Sequence, residues 1–181
     1  MGRMEPIDPA WSLDRRAQIE GWPFRCGGAG AFERPELNEL RDIWRLRAMG
    51  KPAPTRPDFD ARTLKPFLRN ITILERVFMD QSSWRYRVRL AGSTIVDTVG
   101  DHTGRFIEEY LPTEVVPRWT AIYDAAIAST KPLRIVAEFM LPRLNFLCGE
   151  ALIAPLADQA GNISLVIGCI YFHPKLTLPT N

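Results

Sequence analysis

Three cysteines, two histidines and a short row of arginines are the side chains in this 181-residue chain whose types most readily do chemistry. Thiolates act as nucleophiles and metal ligands, but Cys26, Cys148 and Cys169 are odd in number and form no Cys-x-x-Cys pair, so neither a zinc site nor a disulfide framework is indicated. They read as buried free thiols. Neither His102 nor His173 lies near a plausible Ser or Cys nucleophile by local pattern, which removes the signal for a catalytic triad. The cluster Cys26-Gly27-Gly28-Ala29-Gly30 follows no predicted strand, opens no helix and lacks the Lys-Ser/Thr of a phosphate loop, so it reads as a hinge. Arg85, Arg87 and Arg89 could attract an anion such as a nucleotide or carboxylate. Their alternation with Trp84, Tyr86, Val88 and Leu90 places them on the opposite strand face, where they solvate the outside or pair with Glu75 and Glu150.

The elements that must position these residues are those of one ordinary domain. Hydrophobic residues make up 46% and charged residues 24% of the chain, enough apolar material for a single core. The 23 Lys+Arg against 21 Asp+Glu leave a formal charge of +2, too near balance for the electrostatic footprint of nonspecific nucleic-acid binding. The longest apolar run, Ile163 to Phe172, is broken by Ser164 and Gly168 and has about half the length that a membrane-spanning helix needs. The N-terminal residues show no basic region followed by an apolar stretch, so no secretory signal is expected and the cytoplasm is the default address.

Residues 1–36 hold four prolines and the glycine cluster and are expected to form an irregular arm, with which a short helix at Ser12 to Glu20 is compatible. From Leu37 the spacing of Leu37, Leu40, Ile43, Trp44 and Arg47 predicts an amphipathic helix ending near Gly50. Three prolines make Gly50 to Asp60 an extended connector, after which Asp60 can cap a turn from Ala61 to about Lys65. Strands are predicted at Asn70 to Val77 and Trp84 to Ala91, with a hairpin turn at Asp80 to Ser83. Ser93 can cap a short helix through Val99. A longer helix from about Thr113 to Ser129 carries the apolar stripe Val115, Trp119, Ile122, Tyr123 and Ala126. Strands at Leu133 to Leu141, Leu147 to Leu156 and Ile163 to Phe172 complete the domain, which spans 37–172 and leaves 173–181 as a tail. The order predicts an α+β fold: a five-stranded antiparallel sheet, helices inserted between strands 2 and 3, and an added N-terminal helix. Such a sheet, with its helices on one face, leaves a concave space suited to a small ligand.

This order resembles the PAS family. The residues are similar to a branch of short bacterial PAS proteins with a Leu-rich helix containing Trp-x-x-Arg, here Leu40, Trp44 and Arg47, and a Pro-rich connector, here Arg56, Pro57 and Asp58. The branch continues with a strand ending Tyr-Arg-x-Arg-Leu-Ala-Gly, then Gly, Thr-Gly, and a Glu before Pro-Leu. Here these are Tyr86-Arg87-Val88-Arg89-Leu90-Ala91-Gly92, Gly100, Thr103-Gly104, and Glu150 before Pro155-Leu156. The resemblance implies sensing or interaction without catalysis, with the signal leaving through a protein partner or a homodimer.

Flavin-adduct members of that family carry Asn-Cys-Arg-Phe, which is missing around Cys148 and Cys169; haem-binding members use a helix histidine, whereas His102 reads as an exposed loop residue. No cofactor is therefore assigned. If a ligand is held, the pocket candidates are Tyr86 and Leu90 on the second strand, Trp119 and Tyr123 on the long helix, and Ile135, Ile153 and Ile167 opposite. The apolar face of the N-terminal helix, Leu37, Leu40, Ile43 and Trp44, must either cover the outer sheet or meet a second copy, and is the candidate dimer contact. On that reading Trp44→Asp would convert a dimer to a monomer. The alternatives are a small-molecule carrier or enzyme using the same cavity, and a docking protein with a filled core.

Overall fold

The computed structural model describes residues 7–79, 83–139 and 143–175. Its helices are α1 (Pro9–Ile19), α2 (Pro35–Ala48), α3 (Ala61–Leu64), α4 (Ser93–Val99) and α5 (Val116–Ser129). Its strands are β1 (Phe24–Gly28), β2 (Ile71–Met79), β3 (Ser83–Ala91), β4 (Leu133–Glu138), β5 (Leu147–Ala157) and β6 (Ile163–Pro174). The strands form one sheet in the order β1-β4-β5-β6-β2-β3, and every neighbouring pair is antiparallel. No helix among the described residues is long and apolar enough to cross a membrane.

The α+β architecture is therefore as the sequence predicts, with a sixth strand contributed by the segment expected to be irregular. Asp8 accepts from the Ala10 N–H at 2.9 Å and Pro9 occupies the first turn, which starts α1 three residues before the expected Ser12. Asp14 then reaches from α1 to the next element, accepting from the Cys26 N–H at 2.8 Å and from Arg25 Nε at 2.9 Å. That clamp, with Phe24 buried in the core, holds Phe24–Gly28 against β4 from Leu133 to Ala137. Glycines carry little strand propensity of their own, so tertiary contacts decide the pairing and the expected hinge is an edge strand.

The sheet is covered on both faces. On one side α2 lays Leu37, Leu40 and Trp44 against Ile71, Ile73, Leu152, Ala154, Leu156 and Ile167. Leu37 and Leu40 are fully buried, and the Trp44 indole donates to the Pro155 carbonyl at 2.8 Å. Ile43 is half-buried against the same cluster. The dimer contact assigned to these four residues is thereby corrected: their apolar face is used inside the chain, where with Phe32, Phe59, Leu64 and Phe67 it covers that side of the sheet. On the other side α5 and α1 cover Leu74, Tyr86, Val88, Ile135, Ala151, Ile153, Val166 and Ile170.

A bulge decides which face receives Leu90. Ile73 pairs with Leu90 and Leu74 with Val88, so Arg89 is the extra residue. An unpaired residue shifts the period-two alternation by one position. Tyr86 and Val88 face α5, whereas Leu90 packs with the α2-side cluster, which corrects its assignment beside Tyr86. The hairpin turn expected at Asp80 to Ser83 lies mostly outside the described residues, as do the end of the strand predicted to Leu141 and most of the C-terminal tail. The tail begins later than expected, since β6 includes His173 and Pro174.

Candidate functional site

A cavity of about 420 Å³ lies between α5 and the sheet. Its roof is Arg118, Trp119, Ile122 and Tyr123 of α5, with Ile95 and Val99 of α4 and Tyr110 to Pro112 of the connecting loop at one side. Its floor comes from Leu74, Ala151, Ile153, Gly168 and Ile170, and Phe24, Phe139 and Phe172 close the far end. The space exists because small residues face the helix where larger ones would meet it. At Gly168 a Cβ would approach Thr72 Cγ2 to 2.9 Å and Ile153 Cδ1 to 3.2 Å, so a side chain there would have to displace the floor. Aromatic rings line it in pairs: Trp119 with Tyr123 at 5.7 Å between centroids, as i,i+4 spacing on α5 dictates, and Phe139 with Phe172 at 5.2 Å.

Of the pocket candidates, Trp119, Tyr123 and Ile153 line this cavity. Tyr86 and Ile135 belong to the same packed face but stand outside the lining, and Ile167 joins Leu90 on the α2 side because it alternates with Val166 and Gly168. Tyr86 instead donates its hydroxyl to Asp124 Oδ1 at 2.6 Å and packs its ring 5.0 Å from that of Tyr123. Burial, then the Asp124 contact, raises its pKa far above the ordinary tyrosine value. Burial likewise raises Tyr123 well above that value, so this phenol keeps its proton. Ile122, Tyr110, Phe139 and Phe172 were missed as pocket residues, although Ile122 stood in the predicted stripe. Arg118 left no sequence signal beyond its place beside Trp119.

The chemically suggestive residues take quiet roles. His102 is half-buried rather than exposed: its ring stacks on Tyr110 at 3.8 Å, and Nε2 lies 2.9 Å from the Val99 carbonyl. Burial pushes Cys26 and Cys169 each up to about 12 and also raises Cys148, so all three are held as thiols. Among the described residues no group of three His, Cys, Asp or Glu side chains is placed to hold a metal. The arginine row is spent on carboxylates: Arg87 on Glu75 at 2.6 Å, Arg89 on Glu75 at 3.5 Å and Arg85 on Glu108 at 3.5 Å.

Glu150 does not join that row. It is 4% exposed on the α2 side and accepts from the Glu33 N–H at 3.0 Å, the Arg34 N–H at 3.0 Å and Arg134 Nε at 2.6 Å. It therefore anchors the chain where α2 begins. The remaining motif residues also build the frame. Arg56 donates to the Phe59 carbonyl, and Asp58 accepts from both the N–H and the hydroxyl of Thr55 at 2.7 Å, fixing the turn of the connector; Arg47 is exposed. Gly92 packs where a Cβ would strike the Leu68 and Arg69 carbonyls, and Gly100 and Gly104 have φ of 98° and 87°. Gly104 returns its N–H to the Val88 carbonyl at 2.8 Å, docking the loop on β3.

An antiparallel sheet with α4 and α5, the helices between its third and fourth strands, over a cavity on one face defines an α+β domain. The family model described as the PAS domain matches residues 32–171, and the chain belongs to that family. Among curated proteins none matches it. Solved structures with a similar fold include a sensory box sensor histidine kinase from Vibrio cholerae. That likeness has 16% identity and a TM-score of 0.46, and covers 62% of this chain and 88% of that one. The light state of the blue-light photoreceptor Aureochrome1 LOV is similar at 16% identity and TM-score 0.39, over 63% and 88% of the two chains. An RNA-binding Light-Oxygen-Voltage receptor follows at 13% identity and TM-score 0.44, over 82% of this chain and 38% of that one.

Proposed function

We propose that this chain is a non-enzymatic sensory or regulatory module of bacterial signalling, which holds a small molecule between α5 and the sheet and reports its presence to a partner protein in the cytoplasm. The observation that carries this reading is the cavity itself. Its volume of about 420 Å³ is within the range of small-molecule sites, and its walls are mainly apolar and aromatic with a few polar groups, the usual composition of such a site. Its neighbours suit binding better than turnover: the lining thiol of Cys169 is held protonated, and His102, stacked on the lining Tyr110, has its Nε2 engaged by the Val99 carbonyl. The partners are a signalling protein and a second copy of the chain. With the α2 face covered, the exposed Trp11 and Ile19 of α1 are apolar surface open to either.

Native mass spectrometry of the purified full chain, followed by denaturation and identification of released small molecules, tests the reading. The expected result is a noncovalent mass that leaves unchanged on denaturation, or, for protein purified empty, a rise in melting temperature with a subset of a metabolite collection. A chain that is empty and unmoved by every compound, or one that converts its ligand, overturns it.

A further inference from the structure

We infer that the cavity takes an apolar carboxylate, a singly charged organic acid whose hydrocarbon body lies against Trp119 and Tyr123 and whose carboxylate pairs with Arg118; this rests on the reading of the cavity as a ligand site. Arg118 sits in the first turn of α5, one residue before Trp119, and lines the same space. Other arginines packed against the fold have carboxylates: Arg76 with Asp124 at 3.5 Å, Arg87 with Glu75 at 2.6 Å and Arg134 with Glu150 at 2.6 Å. Arg118 forms no ion pair among the described residues, and its Nε is buried without a hydrogen-bond partner. A buried Nε–H without an acceptor is costly to leave, and a planar carboxylate is the acceptor that can take it together with a terminal N–H of the same guanidinium.

The surrounding charges choose among anions. Glu114 and Glu138 also border the cavity; Glu138 is bound by Lys175 at 2.7 Å, whereas Glu114 is exposed just before α5. A dianion such as a phosphate monoester would meet one cation and the field of Glu114. A monocarboxylate needs only that cation, and its apolar remainder matches the aromatic and aliphatic walls of Trp119, Ile122, Tyr123 and Ile153.

The test is calorimetric titration of the full chain with 4-phenylbutyrate and with 4-phenylbutanol, which share one body and differ in charge. The acid is expected to bind roughly tenfold tighter or more, the scale of a hydrogen bond to a charged group. Arg118→Gln should bring the two compounds level, while Glu114→Gln should bind the acid at least as tightly as the parent does. Equal affinity of acid and alcohol for the unmodified chain overturns the carboxylate assignment and leaves the cavity reading standing, whatever the variants do. Binding of neither compound overturns this inference, and the cavity reading is then judged by the mass-spectrometric test. Undiminished acid preference in a folded Arg118→Gln protein also overturns the assignment.

Discussion

Replacing Glu150 by alanine removes the acceptor that joins three separated pieces of chain. The carboxylate is 4% exposed and takes hydrogen bonds from the Glu33 and Arg34 N–H groups and from Arg134. Each main-chain donor left without a partner costs about 1–3 kcal/mol, and breaking a buried charged pair costs about 3–5 kcal/mol. These contributions overlap, so Glu150→Ala is expected to lower stability by about 3–5 kcal/mol. Glu150→Gln keeps one oxygen for Arg134 and loses the charge, and should cost about 1.5–3 kcal/mol. The assay is urea unfolding followed by Trp fluorescence and far-UV circular dichroism, where a shifted midpoint at constant slope marks a change of stability alone. The pH dependence supplies a second reading. Burial pushes the Glu150 carboxyl up, but the bonds from the Glu33 N–H, Arg134 and the Arg34 N–H outweigh it and hold the group below its ordinary 4.5. With the folded pKa lowered, the stabilisation is complete above the unfolded value and is lost as pH falls through the folded one. Wild type should therefore lose its advantage over Glu150→Gln as pH falls below about 4.5. An alanine variant within about 1 kcal/mol of wild type at pH 7, or parallel acid profiles, would refute the anchoring role.

Gly92→Ala places a Cβ on the Leu68 carbonyl oxygen and 2.5 Å from that of Arg69, both backbone atoms that cannot swing aside. It should cost about 3 kcal/mol or more, a fall in melting temperature of roughly 10 °C in scanning calorimetry; an unchanged melting temperature contradicts the close approach. Trp44→Ala should cost about 3–5 kcal/mol in urea unfolding, and Trp44→Asp more, because the site is interior. A Trp44→Asp protein of wild-type stability but halved mass in light scattering would restore the dimer contact that burial removes.

Elements whose residues were specified by local chemistry were legible in the sequence. The alternation of Trp84 to Ala91 marked β3, and the stripe of Val115, Trp119, Ile122, Tyr123 and Ala126 marked α5 within three residues at its start. Features decided by distant contacts were not. Cys26 to Gly30 reads as a hinge until Asp14 and β4 hold Phe24–Gly28 as a strand, and Leu90 reads as a core neighbour of Tyr86 until Arg89 bulges. The α2 face could cover a sheet or a second copy, and only the packed arrangement distinguishes them. The cavity was half legible: helical spacing found Trp119 and Tyr123, while the small floor residues Ala151 and Gly168 carry no pattern that marks an empty volume.

The central claim, that α5 and the sheet enclose room for a small apolar guest, can be measured without knowing the natural ligand. Apolar cavities left dry take up xenon. Amide and side-chain NMR spectra of the full chain under xenon pressure should show saturable shifts concentrated at Trp119, Ile122, Tyr123, Ala151, Ile153 and Ile170, which line the cavity. Shifts that fail to saturate, or that gather away from these residues, would contradict it.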